Sequence, residues 1–432
     1  MLVEPWLVRA AAARPEHVAL ETSAGHRSYR ELLDDALATA AALRERGARP
    51  GDRVAIALPP GLDFARALHG CLLLGATAVP VDLRMSEAER ARIADGAGVL
   101  VGEPLEVPGV AEPGADALIR PHDLDATAVV IHTSGTSSAP KPIELTYGNL
   151  LWSALGSAVA LGLDPQERWL CALPLSHVGG LSILVRSAIY GTTAVVHERF
   201  ETERVLHALQ HEGITLVSLV ATTLARLLDA GLGRPPALRC ALTGGGPVPA
   251  ALVRRATDAG VPVSTTYGLT EACSQVTTAG PPLFCTRVQI APDGEILVAG
   301  PTVAPGAVAE DGWLHTGDLG ALDAQGWLSV TGRKADTIIS GGENVAPSEV
   351  EAVLEAHPAV REAAVVGVPH ERWGEAVVAI VVAREEADAP GEEELRAHCA
   401  AALAPYKVPK RFEPRAEPLP RTRSGKLLRR EL

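Results

Sequence analysis

From residue 28 to residue 267, short apolar runs alternate with helical patterns, and this rhythm restricts the fold more than any other feature of the chain. Ser28 and Glu31 form the S-x-x-E pattern of a capping box, in which each side chain caps the other's backbone N–H. The helix they open runs through LLDDALATAAALRERG and stops at Gly47. GDRVAIALP then reads as a strand, FARALHGCLLLG as a helix and ATAVPVD as a strand. After residue 126 the rhythm returns as AVVIHTS, a helix near 148–161, WLCALPL, a helix near 180–190, and TTAVVH. A further round covers 202–267. Strands joined through helices pair in parallel and are covered by those helices, so an open α/β sheet is expected here.

The pattern changes at 293–330, where Asp293-Gly294, Asp311-Gly312, Gly317-Asp318 and Gln325-Gly326 punctuate short apolar runs. That spacing predicts β-hairpins, hence a β-rich subdomain. The charged segment GRKAD, 332–336, follows a strand. Beyond it the chain reads as a small α+β unit: a helix over 347–357, strands at VREAAVVGV and AVVAIVVA, a helix over 391–404, and the basic tail PLPRTRSGKLLRREL. The expected division is therefore a large N-terminal domain, 1–333, of mixed and parallel sheets flanked by helices, and a small mobile α+β domain, 334–432.

Composition removes several function classes. Hydrophobic residues make up 47% of 432 residues, enough for a large core, which excludes wholesale disorder. A net charge of −13 disfavours binding to nucleic acid or to an anionic membrane surface. The six cysteines include no C-x-x-C pair, so they read as buried thiols in a reducing compartment, the cytoplasm, and not as a disulfide frame or zinc site. No apolar segment of signal-peptide type is visible near the N-terminus. The uncharged stretch 145–163 is long enough to span a bilayer, but its Thr, Tyr, Asn, Ser and Gly content predicts a buried helix and no stable membrane insertion. Of the 39 basic residues only five are lysines: Lys141, Lys334, Lys407, Lys410 and Lys426. In a chain that uses arginine by default, a lysine marks a place where a compact ammonium has a use.

The strongest local motif is TSGTSSAPK, 133–141, directly after an apolar strand. Small hydroxyl residues and a glycine on such a turn expose backbone N–H groups and hydroxyls to phosphate oxygens, and Lys141 adds a cation. The spacing does not fit G-x-x-x-x-G-K-[ST]. Downstream lie Gly244-Gly245-Gly246-Pro247, which allows close approach to a flat ligand, and Tyr267-Gly268-Leu269-Thr270-Glu271 after another strand. Thr270 can donate to a phosphate and Glu271 can hold a hard cation such as Mg2+. Asp318, in WLHTGD, can accept from ribose hydroxyls, and Arg333 can act on the same sugar or on phosphates. Taken one at a time, each of these is better read as a turn, a cap or a surface ion pair. Their joint occurrence in this order carries the functional reading.

TSGTSSAPK, LPLSHVGG, YGLTE, TGDLG, GRKADTIISGGEN and PRTRSGK resemble, in succession, the core motifs of the adenylate-forming superfamily, which includes acyl- and aryl-CoA ligases, peptide-synthetase adenylation domains and beetle luciferases. The resemblance spans essentially the whole chain. It implies a large N-terminal domain, a small mobile C-terminal domain, and a reaction using ATP, Mg2+ and CoA as co-substrate with a small carboxylic acid. It places Thr133, Ser134, Gly135, Thr136, Ser137, Lys141, Gly245, Gly246, Pro247, Tyr267, Gly268, Thr270, Asp318 and Arg333 at the nucleotide, and Glu271 at the metal. Lys426 would bridge the carboxylate and the α-phosphate during adenylation. The C-terminal domain would then turn about Lys334, Ala335 and Asp336, bringing Gly341, Gly342 and Glu343 to the CoA tunnel. The hinge position, usually charged in the family, is Ala335 here. The resemblance also allows a homodimer.

Within the superfamily, the segments 147–154, 173–191 and 267–278 are most similar to the o-succinylbenzoate–CoA ligases of menaquinone biosynthesis. The physical clue is Arg186, a charge inside the apolar run LSILVRSAIY. o-Succinylbenzoate is a dianion: one carboxylate is activated and the other needs a cation. The resemblance assigns that cation to Arg186 and puts His177, Thr243 and Gly244 at the acyl pocket. Without the resemblance, Arg186 would be read as snorkelling to solvent. Ser138 and Pro142 stand where the family's phosphate loop has glycine, Glu144 adds a negative charge nearby, and the chain is shorter than most relatives. The alternatives left open are a CoA ligase for another aryl or short-chain acid, an adenylating enzyme with a carrier-protein acceptor, and a catalytically weak adenylate-binding relative.

Overall fold

The computed structural model describes residues 1–106, 118–133, 141–384, 390–421 and 427–432. They form two compact units, the first comprising 1–245, 255–287 and 298–314, the second 246–254, 288–297 and 315–432. Compactness alone thus groups the hairpin before residue 333 with the C-terminal segment. The expected boundary at 333/334 falls inside the second unit.

In the first unit the strand–helix rhythm builds two sheets. One has five strands in the order Val99–Val101, Arg53–Ile56, Thr77–Pro80, Thr127–Thr133 and Lys141–Thr146, parallel except for the last pair. The other has eight, in the order Ser274–Thr278, Val263–Leu269, Cys240–Thr243, Leu216–Leu219, Arg168–Cys171, Thr193–Val196, Val18–Thr22 and Gly25–Ser28, with antiparallel pairs at both edges. Ser28 caps the helix Tyr29–Glu45 as the capping box requires: its hydroxyl accepts from the Glu31 N–H and its own N–H donates to the Glu31 carboxylate. This helix packs against Leu62–Leu74, and the core between the layers is filled by Tyr29, Leu43, Phe64, Leu68, Trp169 and Leu181, each almost fully buried. Tyr147–Leu161 is the expected helix of the uncharged stretch. Among the described residues no helix is long and apolar enough to cross a membrane. All six cysteines are free.

Lys141–Thr146 is a strand that the sequence reading does not foresee, because Pro142 and Glu144 break the apolar pattern. It lies at a sheet edge, where the missing proline N–H is tolerated, and Pro142 stands opposite His132 in the ladder.

The second unit contains most of a four-stranded sheet in the order Arg287–Ile290, Glu295–Ala299, Leu314–Leu322 and Leu328–Arg333, the last pair antiparallel. It also contains a five-stranded sheet built on the long hairpin Val360–His370 and Gly374–Ala383, with the helices Pro347–Glu355 and Glu392–Ala402. The tail folds back on this hairpin. Leu419, Leu427 and Leu432 pack with Ala364, Ile380 and Val382, and an isolated antiparallel bridge joins Arg421 to Leu427.

Candidate functional site

In open α/β sheets, ligands gather beyond the carboxyl ends of the strands. The motifs of the first unit follow that rule. Asp82 and Arg84 follow Thr77–Pro80, the segment 134–140 follows Thr127–Thr133, and His177 lies beyond Arg168–Cys171. Gly244 follows Cys240–Thr243, and Thr270 and Glu271 follow Val263–Leu269. Arg84 ties the two sheets together at this edge. It chelates Asp82 through Nε and Nη2, and its Nη2 lies 3.0 Å from Nε2 of His177. A guanidinium only donates, so in this contact Nε2 of His177 is the accepting atom. Burial would raise the Asp82 pKa, but the hydrogen bonds and charge of Arg84 prevail and hold it below the ordinary carboxylate value. Asp82 and Arg84 are absent from the sequence reading; the signal that could have marked them is a charged pair just past an apolar strand end.

Arg186 does not snorkel. It is 2% exposed on the helix Val178–Tyr190, which starts at His177. Its Nη2 donates to the Ser153 hydroxyl at 2.9 Å, and that hydroxyl donates to the Cys273 carbonyl at 2.6 Å. The guanidinium also lies 5.7 Å from the Trp169 ring centroid, and its Nε has no hydrogen-bond partner. Among the described residues, no carboxylate pairs with it. Burial pulls its pKa down, with Tyr190 and Cys273 as weaker opposing influences. A buried cation without a counter-ion is costly, and an anionic ligand would relieve that cost.

Ser153 thus joins Arg186 to the turn that bears Thr270 and Glu271. This turn is a single 3₁₀ turn, Thr270–Ala272, and Cys273 after it has φ +52°. Gly268 sits at the register break just before the turn, where a Cβ would collide with the Ser274 carbonyl. Gly244 is similarly constrained, since a Cβ there would lie 2.6 Å from the Thr266 carbonyl oxygen. Thr243 is fully buried, and its hydroxyl donates back to the Ala241 carbonyl at 3.3 Å. Gly245 has φ +78°, and Gly245, Gly246 and Pro247 are exposed. Tyr267 pairs with Thr277 on the neighbouring strand. Among the described residues no cluster of three or more His, Cys, Asp or Glu forms a metal cage. A lone Glu271 fits Mg2+, which keeps waters and takes its remaining ligands from substrate phosphates.

Thr133 and Lys141 are directly paired across the antiparallel ladder, with the Thr133 hydroxyl 3.4 Å from the Lys141 carbonyl. They are the two described residues that flank the segment 134–140. Ser134, Gly135, Thr136, Ser137 and Ser138 lie outside the described residues, as does Lys426. Glu144 is ion-paired with Arg53 and accepts from Thr127 at 3.4 Å, so its charge is already balanced.

In the second unit, Asp318 and Arg333 face each other across a ladder, with Arg333 Nε 3.2 Å from the carboxylate. Lys334 reaches back to Asp293 at 2.6 Å and to Glu295 at 3.1 Å. Lys334–Asp336 is one 3₁₀ turn. Gly341 and Gly342, both with positive φ, make the two-residue turn between Ile338–Ser340 and Glu343–Val345, the geometry that tight hairpins reserve for glycine. Glu343 is exposed, and Gly341 rests on the Trp373 ring.

The AMP-binding enzyme family profile matches residues 7–101 and 93–307, and the AMP-binding enzyme C-terminal domain profile matches 349–426. The chain is 39% identical to the 2-succinylbenzoate–CoA ligase of Bacillus subtilis, over 99% of this chain and 97% of that protein. Among solved structures, it superposes on o-succinylbenzoate CoA synthetase of Bacillus subtilis in complex with the acyl-adenylate intermediate. The TM-score is 0.88 at 36% identity, covering 100% of this chain and 98% of that one. The same enzyme with ATP and magnesium ion gives a TM-score of 0.89 at 37% identity, with 100% of both chains covered. The chain therefore belongs to the AMP-binding enzyme family, the adenylate-forming group that its motifs resemble.

Proposed function

We propose that this protein is an AMP-forming acid–thiol ligase of the reducing cytoplasm that activates o-succinylbenzoate with ATP and transfers the acyl group to CoA. One observation carries the choice of acid: the buried guanidinium of Arg186 has no carboxylate partner among the described residues. The second carboxylate of a dianionic acid is the group such a site lacks. Glu144, one of the departures that suggested a weakened enzyme, is neutralised by Arg53 and gives that alternative no support.

The chemistry follows from electrostatics. A carboxylate repels nucleophiles. Its oxygen attacks the α-phosphorus of ATP, the bond to the β-phosphate oxygen breaks, and pyrophosphate leaves. The acyl-adenylate then carries AMP as its leaving group, and the CoA thiolate displaces it to give a thioester. Charge accumulates on phosphate oxygens in the first step, so donors fixed around them supply most of the stabilisation. In this reading the 133–141 loop and Thr270 hold the phosphates, Lys426 spans carboxylate and α-phosphate, and Asp318 and Arg333 hold the ribose. Gly245, Gly246, Pro247, Tyr267 and Gly268 flank the nucleotide. His177, Thr243, Gly244 and Arg186 shape the acyl side. Glu271 would hold Mg2+, which supplies charge neutralisation on the phosphates when bound. Rotation at Lys334, Ala335 and Asp336 would then replace Lys426 with the hairpin of Gly341, Gly342 and Glu343, beside which the CoA arm passes.

The test is product analysis with o-succinylbenzoate, ATP and Mg2+. The expected result is one equivalent of pyrophosphate per site without CoA, and continuous AMP and o-succinylbenzoyl-CoA formation with CoA. No pyrophosphate with this acid or with other aryl acids would contradict the proposal.

A further inference from the structure

The tail that bears Lys426 is pinned at both ends to the strand Val360–His370. On the near side of residues 422–426, Arg421 pairs with Glu362 at 3.1 Å. On the far side, Arg429 makes a two-pronged contact from Nη2 to both Glu351 oxygens at 2.6 Å. Its Nη1 reaches Asp336 at 3.2 Å and its Nε the Val365 carbonyl at 3.4 Å. Glu351 also accepts from the Val365 N–H at 2.8 Å. One side chain therefore joins the tail, the helix Pro347–Glu355, the strand Val360–His370 and the segment 334–336. Burial pushes the Glu351 carboxyl up and Arg429 opposes this, so loss of Arg429 would leave a half-buried acid without its cation.

We infer that Arg429 is a positioning residue for Lys426: it ties the chain three residues after Lys426 to Glu351 and Asp336. Arg429 lies three residues after Lys426 in the chain and is committed to protein partners on every donor edge described above. It touches neither acid nor nucleotide in this account. Its effect is geometric: the Lys426 ammonium must reach a bridging position, and a misplacement of about 1 Å costs about 10²-fold in rate. This inference rests on the proposed role of Lys426 in adenylation.

The test compares the two half-reactions of the purified full-length enzyme: pyrophosphate release from ATP with o-succinylbenzoate, and thioester formation from supplied o-succinylbenzoyl-adenylate with CoA. Arg429→Ala should lower kcat of adenylation about 10²-fold with KM for both substrates little changed, and leave thioester formation within a few fold. Arg429→Lys keeps the charge but, with one nitrogen, cannot hold Glu351, Asp336 and the Val365 carbonyl together, so it should fall between Ala and wild type. Glu351→Gln removes the charge pair from the other side, should show the same half-reaction bias, and serves if Arg429→Ala does not fold. Equal loss of both half-reactions in these variants would overturn the inference. So would normal adenylation in them while Lys426→Ala has none; in that case the role of Lys426 stands and the clamp alone falls. Normal adenylation by Lys426→Ala would remove both.

Discussion

Arg186 and Gly268 show how differently two single positions can be written into a sequence. A charge inside LSILVRSAIY is visible without coordinates, and its cost in an apolar layer asks for a partner. The partner side chain, Ser153, is not visible, because it lies on another helix 33 residues away in sequence. Nor is Arg84 legible as the neighbour of His177, since 93 residues separate them. Gly268 reads from sequence as part of a nucleotide motif. The structure adds a backbone reason, the collision of any Cβ with the Ser274 carbonyl. Gly268→Ala is expected to cost on the order of 3 kcal/mol or more, since overpacking here meets main chain and not a movable side chain. Chemical denaturation of the variant would check this, and unchanged stability would mean that the turn relaxes.

At the scale of elements, the parallel strands and their helices were legible because hydrophobic period and capping are local. The partition into two sheets was not, since the same rhythm satisfies one sheet or two, and only long-range packing chooses. A buried histidine pair gives one element-level prediction. His69, on Leu62–Leu74, and His122, on His122–Asp123, are both 4% exposed or less, and His122 stacks on Tyr147 with ring centroids 4.4 Å apart. Burial pulls His69 from its ordinary 6.5 to about 4, and burial with the charge of His69 pulls His122 to about 3. Unfolded, both take up protons near 6.5, while folded they stay neutral until the pH is far lower. The unfolded state thus binds more protons in between, so their contribution is full above pH 6.5 and is lost as pH falls toward 4 and then 3. Urea midpoints should drop between pH 7 and pH 4.5, and His69→Leu should flatten that slope. An identical slope in the variant would remove His69 as a cause.

For the molecule as a whole, the segment 334–336, the proposed hinge, has its ends held on separate partners within the second unit. Lys334 is held by Asp293 and Glu295, Asp336 by Arg429, and Ala335 lies between these ionic contacts. Under the proposed hinge role, these charged neighbours on either side supply the anchoring that a charge at position 335 would give. The strand before the segment was legible in the sequence, but Asp293 and Glu295 belong to a distant hairpin and could not be paired with Lys334 by pattern. If Ala335 is the pivot, Ala335→Pro, which fixes φ, should slow one half-reaction at least tenfold more than the other. Equal effects on both would argue against a pivot there.

The central claim is that a carboxylic acid is adenylated while the Arg186 guanidinium holds its other acid group. The most direct measurement is kcat/KM for o-succinylbenzoate and for its two monoacid analogues, each lacking one carboxylate, in wild type and Arg186→Ala. Breaking a buried ion pair typically costs about 3–5 kcal/mol, equivalent to roughly 10²–10⁴-fold. The account predicts a loss of that size for the dianion and a loss of less than about tenfold for the monoacid that keeps the activated carboxylate. Equal losses for both acids would contradict it.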